Sequence, residues 1–256
     1  MAITLNSISR SLGFKAPALV IHGSSGVGKT SLAAGAPNPI FICTEDGLGK
    51  LEVDAFPLMK SFQDVLDALH ALYSSDHKYQ TVVLDSLDHL ENLLWIHLCQ
   101  HYVGPKGERY ESVEDFGYGK GFMFALDLWR QLLNALFALR NDKGMAFILI
   151  AHSEIKRFES PMTDSYDRYQ IKLHKRASEL IMESVDCVLF ADYKTVIEKE
   201  EAGFNKVKAR GISTGQRYLY TEARPSFVAK NRYGLPPELP LNWQAFSDAL
   251  TNNPSQ

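Results

Sequence analysis

HGSSGVGKTS, residues 22–31, is the stretch on which the reading of this sequence turns. Gly23, Gly28, Lys29 and Thr30 meet the spacing G-x-x-x-x-G-K-[ST] of a phosphate-binding loop, with Gly26 as a further glycine inside it. The chemistry requires these residue types. Glycines let successive backbone N–H groups curl round a phosphate with no Cβ in the way. The helix that follows points its positive end at the same phosphates. Lys29 reaches the β and γ oxygens, and the Thr30 hydroxyl can ligate Mg²⁺. The nucleotide cradle is therefore expected to comprise Gly23, Ser24, Ser25, Gly26, Val27, Gly28, Lys29, Thr30 and Ser31.

Just before the loop, ALVIHG (18–23) is an apolar run of strand length, and similar runs recur: PIFICTE (39–45), TVVLDS (81–86), AFILIAH (146–152) and DCVLFAD (186–192). Continuous apolar runs suit strands of a parallel sheet covered on both faces. Amphipathic helices are expected between them. SFQDVLDALHALY (61–73) opens on Ser61 as N-cap and lines up Phe62, Val65, Leu66, Leu69 and Leu72. LDHLENLLWIHLCQHY follows the third strand, and FALDLWRQLLNALFALR (124–140) precedes the fourth. This alternation predicts an α/β fold with a mainly parallel central sheet flanked by helices. Beyond residue 193, KVKARGIST, QRYLYTE and PSFVAK read as short strands of an antiparallel extension. The expected organisation is an arm over residues 1–17, a core over 18–192, a β extension of the same domain over 193–246 and a flexible tail over 247–256.

The chain has 256 residues, 45% of them hydrophobic, enough for a full core, and a net charge of −3, so any nucleic-acid site has to be a local patch. Cys43, Cys99 and Cys187 are scattered, with no CxxC pair, as expected of buried thiols in a reducing compartment. The N-terminal MAITLNSISRSLGFKAP carries no long apolar run, and no stretch reads as membrane-spanning, so a cytoplasmic protein is expected.

Three strand ends add chemistry. Asp85 closes TVVLD, the rigid position needed for a second carboxylate on the Mg²⁺ side. The next residue is Ser86, not Glu, so a water-activating acid has to come from elsewhere; Glu45, at the end of the strand after the loop helix, is the candidate. His152, at the end of AFILIAH, enters the same crevice and can bond a γ-phosphate. Late in the chain, VAKNRYGLPPELPL (228–241) places Lys230 and Arg232 two residues apart, hence on one side of a strand, with Asn231 turned away.

Taken together, these residues resemble the RecA-type recombinase core, and more narrowly the short phage-encoded RecA-like ATPases related to RecA and RadA single-strand annealing proteins. The resemblance rests on the phosphate loop and on DSLDHLENLLW, EDFGYGKGF, LIAHSEIKRFESP, YDRYQIKLHKRA and RYLYTEARPSFVAKNRYGLPPELPL, which span most of residues 18–241. It implies a RecA-like P-loop core and ATP with Mg²⁺ as cofactors, with Glu45 orienting the attacking water. It places a first DNA-binding loop at 103–121, with Lys106, Arg109 and Lys120 among Tyr110, Phe116 and Tyr118, and a second after His152, with Lys156, Arg157, Phe158, Tyr166, Arg168, Tyr169, Lys172, Lys175 and Arg176. Cations for phosphates and rings for bases suit single-stranded DNA. Lys230 and Arg232 match a two-cation element that reaches a neighbouring subunit's γ-phosphate. The implied partners are single-stranded DNA, further copies of the chain in a filament, ring or short oligomer, and a single-strand-binding protein, in the host bacterial cytoplasm. Two other readings share the loop: a small-molecule kinase or metabolic NTPase, and a nucleotide-switched partner protein without turnover.

Overall fold

In the structure, a computed structural model, residues 4, 5, 8, 15–161, 163–202 and 206–252 are described, the stretch 195–213 as backbone only. The expected arm at 1–17 therefore lies mostly outside the described residues. The five apolar runs form β1 (Ala18–Gly23), β2 (Pro39–Cys43), β4 (Thr81–Asp85), β5 (Ala146–Phe158) and β7 (Cys187–Ala202). β3 (Asp54–Ala55), β6 (Tyr166–Ile171), β8 (Lys206–Tyr220), β9 (Lys230–Asn231) and β10 (Glu238–Pro240) join them, in the order β10-β8-β7-β1-β5-β4-β2-β3, with β6 on β5 and β9 on β7. The stretch from β7 to β3 is parallel and the C-terminal strands pair antiparallel, as expected. β5 lies between β1 and β4.

The strands are apolar at every position because both faces of the sheet are covered. Ala18 and Val20 of β1 face one core with Val82, Leu84, Phe147 and Leu149; Leu19 and Ile21 face the other with Val83, Ile148 and Ile150. α2 (Phe62–Ser74), α3 (Leu87–His101), α4 (Lys120–Lys143) and α5 (Lys175–Ser184) cover the first face, while α1 (Lys29–Ala34) and α6 (Trp243–Thr251) cover the second. Ser61 caps α2 in a capping box with Asp64, as its sequence suggests. Trp129 of α4 is 1% exposed, so Trp129→Ala should lower stability by about 3–5 kcal/mol in a urea titration, a cavity the core cannot close. Among the described residues, α4 alone is long and apolar enough to cross a membrane by length and composition, which corrects the expectation that no stretch is; its Trp129, Leu132, Leu136 and Leu139 belong to the core.

Three expectations change. KVKARGIST and QRYLY are one strand, β8, paired with β7 from Phe190–Tyr220 out to Ala202–Lys206, so a long two-stranded ribbon replaces a set of short pieces. The segment after His152 is a β5–β6 hairpin rather than a loop. The expected tail begins inside α6, whose Phe246 is buried against the second core.

Candidate nucleotide site

The carboxyl ends of β1, β2 and β4 and the middle of β5 bring the site together; β5 runs on past His152 to Phe158, so the histidine lies inside its strand rather than at the expected end. Register pairs Gly23 with His152 and Asp85 with Cys43, so the loop, Asp85, His152 and the residues after Cys43 lie on one edge. A cavity of about 600 Å³ opens there, lined by Lys29, Thr30, Glu45, Asp85, His152 and the outer residues of the loop. Ser25, Gly26, Gly28 and Ser31 line it; Val27 instead points into the core, and Gly23 and Ser24 contribute carbonyls. Gly28 has φ 108° and hands the chain to α1, a conformation that favours glycine. Gly23 is required for a different reason: a Cβ there would meet the Ala191 carbonyl oxygen on β7 at 2.2 Å.

Lys29 Nζ donates to the carbonyls of Gly23 (3.0 Å) and Ser24 (2.9 Å), arched over the loop. Burial lowers its pKa, opposed by the negative charges of Asp85, Asp88 and Glu45. Thr30 Oγ1 donates to Asp85 Oδ2 at 2.7 Å. Burial holds Asp85 above the usual carboxylate range against that hydrogen bond. A hydroxyl beside one buried carboxylate is the donor set that magnesium takes when phosphates supply its other oxygens, and a dication would favour the ionised carboxylate. Among the described residues no cluster of three His, Cys, Asp or Glu offers an all-protein metal site.

Glu45 enters the cavity with its Oε2 3.3 Å from His89 Nε2. His152 is held from behind: its Nδ1 lies 3.0 Å from Asp88 Oδ2, and its backbone N–H donates to Asp88 Oδ1 at 3.1 Å. Asp88 is buried, which raises its pKa, but the His152 hydrogen bonds outweigh this and leave it below the usual range. One turn on, buried Glu91 accepts the His174 N–H at 2.9 Å. His89 and Glu91 were not singled out from sequence, and Asp88 only as a substitute for Glu45; the signal was there in DHLE, where three-residue spacing puts two acids on one face of α3. His22, inside β1, bonds Ser153 Oγ (2.8 Å) and the Val228 carbonyl (2.9 Å), and burial pushes it down to about 4, so it is neutral.

Burial pushes Glu91 up to about 7 from an ordinary 4.5. The folded chain then keeps a proton that the unfolded chain releases, so stability falls as pH rises through that window. Glu91→Gln removes the effect. Its unfolding free energy, measured against the unsubstituted protein, should gain between pH 4.5 and about 7, whereas parallel curves would show an ionised Glu91 in the folded state.

The basic segments separate into exposed and packed residues. Lys106, Arg109, Lys120, Lys156, Arg157, Lys172, Lys175 and Arg176 are exposed. In the first segment, Phe116 is buried and Tyr110 stacks on it at 4.0 Å, so those rings belong to the fold; Tyr118 is fully exposed. In the hairpin, Arg168 donates to the Phe227 carbonyl and lies over the Phe158 ring at 5.2 Å, while Tyr169 packs on Phe190. Tyr166 sits beside Phe158 near the hairpin end. Phe122 and His174 stack at 4.1 Å, which brings the starts of α4 and α5, and with them Lys120, Lys175 and Arg176, to one side.

Lys230 corrects the picture of two outward cations. Its Nζ donates to the carbonyls of Met182 (2.7 Å), Glu183 (3.0 Å) and Val185 (2.6 Å), closing the C-terminal end of α5. Asn231 is not idle either: its Oδ1 accepts from the Tyr233 and Leu235 N–H groups and holds the turn. Arg232 donates to the Glu183 carbonyl and lies 3.8 Å from Asp186, yet its side chain is 54% exposed. β9 pairs with the start of β7, at the end of the sheet opposite the phosphate loop, so neither cation reaches the cavity of its own chain.

A glycine loop closing a parallel strand, a lysine over it and a threonine–aspartate pair at the neighbouring strand end define a P-loop NTPase. Residues 15–233 match the model of the AAA domain family, and the chain belongs to that family. It is similar to the SPbeta prophage-derived uncharacterized protein YorG of Bacillus subtilis strain 168, 24% identical over 228 residues that cover 86% of this chain and 65% of that protein. The chain thus spans about two thirds of the length of the curated relative it matches. Among solved structures, the crystal structure of the RadB recombinase aligns with a TM-score of 0.47 at 14% identity, covering 91% of each chain.

Proposed function

We propose that this P-loop NTPase is an ATP-dependent recombinase or annealing protein that binds single-stranded DNA and hydrolyses ATP where two copies meet, in phage DNA recombination. Besides the resemblance of the later sequence blocks, one observation carries the reading: β5 is shared by both sites. At His152 it lines the phosphate cavity, and six residues later, at Phe158, it ends in the basic hairpin. Asp88 and Glu91 on α3 brace the base of the hairpin, at His152 where it leaves and at His174 just after it returns. A γ-phosphate that draws on His152 therefore pulls on the strand that presents Lys156 and Arg157 and, through Phe158, meets Tyr166 of β6. Lys29, Thr30 and Asp85 hold the nucleotide with its magnesium ion, which when bound neutralises phosphate charge; Glu45 orients the water.

The test is ATP hydrolysis with and without single-stranded DNA. Stimulation is expected here, a kinase would need its own acceptor, and a nucleotide switch would turn over neither way. Binding should fall steeply with salt and depend little on sequence. Tyr166→Ala should weaken it by about 1–3 kcal/mol at fixed salt if the ring stacks on a base. Tyr169→Ala is expected to act on stability instead, because that ring is packed on Phe190. Unchanged DNA affinity in Tyr166→Ala would return the hairpin to a solvated basic surface. For action across an interface, Arg232 is the cation to test: Arg232→Ala mixed with Lys29→Ala should regain turnover at a shared boundary, and no recovery at any ratio would count against it.

A further inference from the structure

The phosphate cavity has a direction. Lys29, Asp85, Glu45 and His152 gather where the terminal phosphates belong, so the rest of a nucleotide leaves past Ser31, on the outer side of α1. There a second cavity of about 380 Å³ opens and shares Gly28 and Ser31 with the first. Its further walls come from the C-terminal segment: Arg217 at the end of β8, Leu241, and Asn242, Trp243 and Gln244 at the start of α6. We infer that this second cavity seats the base and ribose of the nucleotide, with Trp243 and Arg217 as the flat groups that cover the base.

The inference rests on the nucleotide reading of the loop and adds the part that reading leaves open. The volume falls within the roughly 300–1,000 Å³ of small-ligand sites. The walls are anchored. Arg217 Nη1 donates to the Val27 carbonyl at 3.2 Å, and its own carbonyl accepts the Leu241 N–H at 3.0 Å. The same Nη1 stands 2.6 Å from where a Cβ on Gly28 would be, so the guanidinium touches the back of the loop. Trp243 opens α6, which Asn242 caps by accepting the Ala245 N–H at 2.8 Å; its ring packs 5.2 Å from buried Phe246. A Cβ on Gly35 would sit 2.8 Å from the Trp243 Cβ, so α1 and α6 approach closely here. The phosphate cavity offers no Phe, Tyr or Trp among its lining residues, whereas the second offers an indole and a guanidinium, both planar and suited to a base face. Gln244 supplies a carboxamide able to donate to and accept from a base edge.

The experiment compares two probes by calorimetry on the full chain: MgADP, and inorganic tripolyphosphate, which has phosphates and no nucleoside. Trp243→Ala and Arg217→Gln should each weaken MgADP by about tenfold or more and leave tripolyphosphate within about twofold. Trp243→Phe keeps a ring against Gly35 and should retain most of the ADP affinity. It should also lose the change in tryptophan fluorescence that ADP produces, although Trp95 and Trp129 remain. Lys29→Ala should weaken both probes. If Lys29→Ala does so while Trp243→Ala and Arg217→Gln bind ADP normally, the nucleoside assignment is overturned and the loop reading stands. If Lys29→Ala leaves both probes unaffected, the loop reading fails and carries this inference with it. Equal loss of both probes in Trp243→Ala would also overturn the assignment of the ring to the nucleoside.

Discussion

Glu45→Gln should bind MgATP normally and hydrolyse it about 10²–10³-fold more slowly. The amide keeps the size of the carboxylate and can still sit beside His89, 3.3 Å away, so the cavity wall is preserved. What disappears is the charge that polarises an attacking water, and oriented charge supplies most of the acceleration in phosphoryl transfer. Single-turnover hydrolysis read beside nucleotide affinity makes the distinction. Near-normal hydrolysis would remove Glu45 from the role. Of the two acids that would then remain as candidates, Asp46 lines the cavity, whereas Asp88 is already engaged by His152.

Asp186→Ala should lower the unfolding free energy by about 3–5 kcal/mol. Asp186 accepts from Arg140 Nη2 and from the Tyr233 hydroxyl, and Arg140 is only 9% exposed on its side chain. Burial and the neighbouring carboxylate push the Tyr233 phenol well above its usual range. Removing the carboxylate leaves a guanidinium in a site that solvent barely reaches, which is the costly half of breaking a buried pair. Asp186→Asn should fall between the two, because it keeps an acceptor for Tyr233 and loses the charge. Chemical denaturation checks both variants. A loss under about 1 kcal/mol in Asp186→Ala would mean that Arg140 finds water or the Ala16 carbonyl, to which its Nε already donates, sufficient.

These two variants lie at opposite ends of the sheet and illustrate different kinds of legibility. Glu45 was visible because a strand end is a position with chemistry attached: an apolar run stops at Cys43, and the acid two residues on faces the crevice. Asp186 was not, since it reads as the first residue of DCVLFAD and its partners are 46 and 47 residues away. The same contrast separates His152 from Asp88. The histidine closes an apolar run in the sequence, although β5 continues past it to Phe158, whereas the aspartate that fixes it belongs to a helix 64 residues earlier. The rings of the first basic segment show the limit from the other side. Tyr110 and Phe116 look like base-stacking groups in a glycine-rich stretch, but a 3-10 turn at Val113–Phe116 folds them back onto each other.

By itself the sequence determined what depends on short-range order. The glycine spacing of residues 23–30 admits a phosphate cradle because backbone freedom is a property of each residue. The continuous apolar runs specified a sheet covered on both faces, since alternate residues of one strand each need a core of their own. Only the tertiary structure decided where long cationic side chains end up. Lys230 looks in sequence like a surface cation, and in the fold it lies against two carbonyls of the last turn of α5 and that of Val185 just beyond it, where a helix end leaves acceptors unmet. Arg217 looks like part of a plain strand, QRYLY, and in the fold its guanidinium rests on the phosphate loop 190 residues earlier. A flexible cation selects among all the acceptors that packing places within its reach, and that set exists only once distant segments have met.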